Sequence, residues 1–193
     1  MKKQRFWTVA GLAFILSSMV ITPAQAVMFR MLDAPALGRL AATNGSMAFK
    51  GKVTKIEQTA DGQSVTFLIQ DALKGKAKTG ESVTLQFPNQ KFNQNMRIAN
   101  GFPPPTVGLN TEGVFFTTTR GIDGRSFLIG GDQGQYFIGH EGGREVVYNR
   151  LGNANFYSAQ QMNNPLMKKI VQGMHERNSG TIPYDDFKRA INQ

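Results

Sequence analysis

Between residues 46 and 150 apolar residues recur at every second position, and this period, more than any other feature, limits what the chain can become. Successive side chains of a β-strand point to opposite faces, so alternation marks strands with one buried face. The cleanest case is SVTLQF, residues 82–87, where Val83, Leu85 and Phe87 face one way and Ser82, Thr84 and Gln86 the other. SVTFLI does the same with Val65, Phe67 and Ile69, and MAFKGKV with Met47, Phe49 and Val53. In the latter, Lys50, Lys52 and Thr54 are expected on the outer face, and Gly51 marks a bend or bulge. GVFFTTT, RSFLIG, GQYFIG and REVVYN continue the pattern. Asp61-Gly62 and Gly142-Gly143 are turn dipeptides that predict hairpins. Six or seven short strands with Gly-rich turns predict a mainly β domain over 46–150, built as a small antiparallel barrel or sandwich. Closing a barrel also removes the exposed edges that template aggregation.

The period changes on both flanks. In an N-terminal helical segment, 27–45, Asp33 is expected to cap a short helix carrying Leu37, Leu40 and Ala41, which Asn44-Gly45 ends. A C-terminal helical segment spans 151–193. There Asn164 caps a helix with Pro165 in its first position, and Leu166, Ile170 and Met174 line one side. PYDDFKRAIN reads as a second short helix, with Asp185 and Asp186 at the positive end of its dipole. These flanking helices are expected to pack over an open end of the barrel.

Residues 1–26 read as a signal peptide: Lys2, Lys3 and Arg5, then an apolar stretch, then Ala24-Gln25-Ala26. The expectation is therefore an exported protein, periplasmic or secreted, with no integral membrane segment after cleavage. Removing 26 of 193 residues leaves 167, which suits one domain. Three of the 22 basic residues go with the signal, leaving 19 against 13 acidic ones, a net +6. Such a charge favours weak attraction to anionic lipid, polysaccharide or acidic proteins. No run of five or six like charges points to nucleic acid. There is no cysteine, so stability must come from a core, and thiol nucleophiles and thiolate metal sites are excluded.

Three stretches carry a family resemblance: MAFKGKVTKIE (47–57), VTFLIQDALKGKAKTGESVTLQF (65–87) and FLIGGDQGQYFI (127–138). Their order resembles the OB-like barrel of the netrin-like and tissue-inhibitor-of-metalloproteinases class. It is closer to a group of uncharacterised exported bacterial proteins of that shape, which carry a Pro-rich loop, a Val-Gly turn and a Gly-rich turn before a strand. Here Val107-Gly108, GVFFTTT and IGGDQGQYF match those pieces, although VGLNTEGVFF inserts residues between the Val-Gly turn and the strand. The resemblance implies an OB-like barrel. It transfers no inhibitory residue, because the metalloproteinase inhibitors reach the catalytic zinc through an N-terminal cysteine.

Little in the chain looks like chemistry. GGDQGQ lacks the Gly-Lys-Ser/Thr ending of a phosphate loop and leads into a strand, so Gly130, Gly131, Asp132, Gln133 and Gly134 read as a structural corner. His140 and His175, 35 residues apart, match no zinc spacing and read as solvated. There is no nucleophile elbow, and Asp185-Asp186 are adjacent on a helix, so they point in different directions. No catalytic residue, metal or cofactor is assigned.

Two features point to binding. The segment 88–113 holds four prolines and no sustained period, and long loops of this kind are often functional. It carries Lys91, Phe92, Arg97 and Phe102, a mixture suited to a protein contact. The aromatics Phe92, Phe102, Phe115, Tyr136, Phe137 and Tyr148 also lie among Lys91, Arg97, Arg120, Arg125 and Arg144, the composition of a stacking-plus-charge face for a glycan or extracellular nucleic acid. The expectation is a non-catalytic binding or accessory protein of the cell envelope acting through a protein partner. The alternative is a binder of an anionic polymer.

Overall fold

A computed structural model describes residues 34–43, 45–88, 107–119, 126–150, 153 and 163–193. The expected signal peptide, Asp33 and Asn44 lie outside the described residues, as does most of the 88–113 segment. Helix α1 (Ala34–Ala41) precedes strands β1 (Ser46–Thr59), β2 (Gly62–Gly75), β3 (Ser82–Pro88), β4 (Glu112–Thr119) and β5 (Ser126–Leu128). A 3₁₀ turn (Gly131–Gly134) leads into β6 (Gln135–Glu141) and β7 (Arg144–Tyr148). Helix α2 (Pro165–Glu176), the two-residue strand β8 (Ile182–Pro183) and helix α3 (Tyr184–Ile191) follow. Asn164 caps α2 as its sequence suggests, its side chain accepting from the Leu166 and Met167 amides.

The strands form one antiparallel sheet in the order β3-β2-β1-β4-β6-β7-β8, with β5 also on β4. The sequence points to six or seven strands; the sheet has eight, the extra one coming from the C-terminal segment expected to be helical. β3 and β5 run against each other without a ladder, so the sheet is curled rather than closed.

Curling is written into β1 and β2. Val53 and Ile56 are three apart and would face opposite ways in a regular strand. The register shifts between Val53 and Lys55, leaving Thr54 as an extra residue, so that Val53 opposes Phe67 and Ile56 opposes Val65. A bulge thus returns Ile56 to the inner face and bends the strand. Two further shifts, at Ala48/Phe49 and Lys50/Gly51, leave Leu73 and Gln70 of β2 without a β1 partner.

The sheet has a core on each face. Inside the curl, Met47, Phe49 and Val53 meet Val65, Phe67, Ile69, Leu85, Phe87, Val107 and Phe115. Phe67 and Phe115 stack obliquely at 4.4 Å at its centre. On the opposite face Ala48, Val114, Phe116, Tyr136 and Val147 are covered by α1, α2, β8 and α3. The helices therefore do not sit over an open end, as expected; they cover the back of the sheet. Ala48 and Phe116 are as fully buried as Phe49 and Phe115 beside them. The face of β1 expected to meet solvent is therefore, at Ala48 and Lys50, the floor of the second core.

Close approach between α1 and α3 explains one glycine. A Cβ on Gly38 would lie 1.9 Å from the carbonyl oxygen of Ile191, so no other residue fits there undisturbed. Among the described residues no helix is long and apolar enough to cross a membrane.

Candidate functional site

Lys91, Phe92, Arg97 and Phe102 lie outside the described residues, but both ends of their segment are in place. It leaves the sheet at the end of β3, Pro88, opposite Gly62. It rejoins at Val107, whose side chain is buried in the curl. The turn that follows is clamped to β1: the Asn110 amide donates to Val53 and the Val53 amide to Thr111. Asn110 takes φ 64, a conformation Asn tolerates better than most residues.

GGDQGQ forms a tight corner. Gly130 and Gly131 have φ 65 and 61, the left-handed region that glycine enters without penalty. A Cβ on Gly134 would lie 2.3 Å from the Ile129 carbonyl oxygen. Gln133 is buried. The turn runs into β6 rather than a helix, so no helix dipole faces it.

The basic-aromatic group is divided. Phe115 and Tyr136 are fully buried in opposite cores. Phe137 and Tyr148 oppose each other across β6 and β7, rings 5.7 Å apart, and Tyr148 remains 42% exposed. Arg120 and Arg125 are outside the described residues, and Arg144 is exposed. His140 and His175 are both exposed, and among the described residues no three His, Cys, Asp or Glu come together as a metal site would need.

The structure assembles a different polar group, where α3 meets the back of the sheet. Lys50 of β1 reaches Glu145 of β7 at 2.5 Å, with only 12% of its side chain exposed. Asp71, the β2 partner of Lys50, accepts from Lys188 at 2.7 Å and from the Tyr184 hydroxyl at 3.0 Å, both on α3. The Lys50 and Lys188 ammonium groups lie 5.2 and 5.4 Å from the centre of the Tyr184 ring, within cation–π range. Burial, and then the hydrogen bond to the Asp71 carboxylate, hold the Tyr184 phenol well above its ordinary range, so it acts as a donor and not as a base. Two lysines and two acids cancel in charge. Lys74 bonds the Ile191 carbonyl at 2.9 Å and secures the other end of α3. Chemically this is a clamp: every charge of the cluster is matched, and it leaves no activated nucleophile.

No sequence pattern marked these residues. Lys50 and Glu145 are 95 positions apart and Asp71 and Lys188 are 117 apart. The only local sign was Lys50 beside Ala48 and Phe49, a charge within a strand about to be buried on both faces. Compared with protein-family models and with curated proteins, the chain matches none.

Proposed function

We propose that the chain is an exported, non-catalytic binding or accessory protein of the cell envelope that acts through a protein partner. Residues 1–26 serve as its signal peptide, and it works in the periplasm or outside the cell. We read the curled sheet as an OB-like barrel left unpaired between β3 and β5, with the neighbours β3-β2-β1-β4-β5 ringing the first core. The observation that carries the functional reading is the anchoring of the 88–113 segment. Its exit from β3 at Pro88 and its buried, hydrogen-bonded return at Val107–Thr111 hold both ends of the segment whose sequence carries Lys91, Phe92, Arg97 and Phe102. A binding segment on a rigid scaffold is the usual way folds present contact residues. The clamp at α3 takes nothing from the net +6 of residues 27–193, because its two lysines and two acids cancel.

The alternative, an anionic polymer held by a basic-aromatic face, is favoured by the half-exposed Phe137–Tyr148 pair. Salt separates the two. Polyanion binding weakens steeply with ionic strength through counterion release, and an apolar protein contact does not. The test is retention from a native envelope extract on immobilised residues 27–193, at low and high salt, beside a column carrying Phe92→Ala, Arg97→Ala and Phe102→Ala together. One protein held at both salts, and lost with the triple variant, supports the partner reading. Retention of polyanions alone, and only at low salt, overturns it.

A further inference from the structure

Among the described residues, two buried polar side-chain atoms have no hydrogen-bond partner: the Thr117 hydroxyl oxygen and the Gln135 side-chain nitrogen. Thr117 is fully buried and Gln135 is 2% exposed. They are neighbours. Gln135 opposes Phe115 across the β4–β6 ladder, and Thr117 is two residues further along β4 on the same face. This is the diagonal relation in which a long side chain reaches its neighbour. Along the ladders Thr117 opposes two apolar residues, Met47 on β1 and Leu128 on β5. An amide donor and a hydroxyl left unbonded at such a place are expensive, and native interiors satisfy buried polar groups through protein or internal water. Gln135 also closes the GGDQGQ corner, so the motif delivers an amide into the sheet interior as well as turning the chain.

We propose that Thr117 and Gln135 form a buried hydration site in which one long-lived internal water accepts from Gln135 Nε2 and bonds Thr117 Oγ1, joining β4 to β6 beside the corner. A single water matches the one donor and one hydroxyl offered. The proposal uses none of Lys91, Phe92, Arg97 and Phe102 and none of the clamp residues at α3, so it does not depend on the partner reading.

The test is water oxygen-17 relaxation dispersion, which counts long-lived internal waters without interference from hydroxyl proton exchange. It compares the folded protein with Thr117→Val, which is nearly isosteric, and with Gln135→Met. The expected result is a dispersion amplitude lower by one water in each variant, with Thr84→Val, an exposed hydroxyl, unchanged. Stability reads the same question independently. If water satisfies the hydroxyl, Thr117→Val shifts the folding equilibrium towards the unfolded state. An unchanged amplitude in a folded Thr117→Val protein, together with a shift towards the folded state, overturns the proposal, because an unpartnered hydroxyl had then been removed.

Discussion

Replacing Phe187 by Ala tests the two-sided sheet most directly. Phe187 is fully buried on α3, its ring 4.6 Å from Tyr136 and 6.2 Å from Phe116, both on the back of the sheet. Truncating a buried Phe costs ~3–5 kcal/mol, the spread reflecting how far the site collapses. Here collapse is opposed, because the sheet forms the floor and α1 and α2 the walls. Each aromatic pair adds ~0.5–1.5 kcal/mol beyond burial, which places the loss near the upper end, about 4–5 kcal/mol. For a domain whose total stability is ~5–15 kcal/mol this is roughly a quarter or more, and it lowers Tm by about 8–20 °C at this size. The sole Trp is Trp7, far in sequence from the sheet and outside residues 27–193, so urea unfolding of 27–193 is best followed by far-UV circular dichroism. Leu68→Ala, at a position 40% exposed on β2, is the control, expected within about 1 kcal/mol. If Phe187→Ala costs no more than Leu68→Ala, α3 does not cover a core and the two-sided arrangement is wrong.

Tyr184→Phe removes a donor from Asp71 but leaves Lys188 on the same carboxylate oxygen, so the expected loss is about 1 kcal/mol, read as a shift in urea midpoint. The raised Tyr184 phenol works in one direction: its contribution is complete below the unfolded value near 10 and is lost as pH climbs towards the higher folded value. Alkaline unfolding of the wild type should therefore be less steep in Tyr184→Phe, and absorbance at 295 nm should show one fewer late-titrating phenol. Gly38→Ala gains ~1 kcal/mol of helix propensity but places a Cβ 1.9 Å from the Ile191 carbonyl; overpacking of ~3 kcal/mol wins, and a variant as stable as wild type would contradict the α1–α3 contact. Asn153 is buried at φ 55, exchanges bonds with Asn149 and donates to the Val147 and Gly180 carbonyls. Asn153→Ala should cost about 2–3 kcal/mol, and Asn153→Gly, which restores the backbone freedom without the bonds, should recover only part of it in thermal melts.

What the sequence could settle was local. Alternation at 65–69 and 83–87 placed one face of β2 and β3 inside because that period follows from backbone geometry alone. Asn164 and Pro165 located the start of α2 because a cap depends on neighbours two and three residues away. Gly130 and Gly131 announced a corner because only the backbone at that point is involved. On 88–113 composition singled out Lys91, Phe92, Arg97 and Phe102, and the sheet shows where the two ends of that segment are tied.

What only the tertiary structure decided was what lies against the other face. Alternation distinguishes two sides of a strand but not solvent from a second layer, so Lys50 read as an outward charge although α3 and β7 enclose it. The adjacent pair Phe115 and Phe116 held the hint, since two consecutive buried aromatics in a strand require a core on each side. The partners of Lys50 and Asp71 come from β7 and α3, about a hundred residues away, and the shift at Val53 that brings Ile56 back inside depends on pairing with β2. Such contacts are chosen by packing among distant segments, and no short stretch of sequence contains the information that selects them.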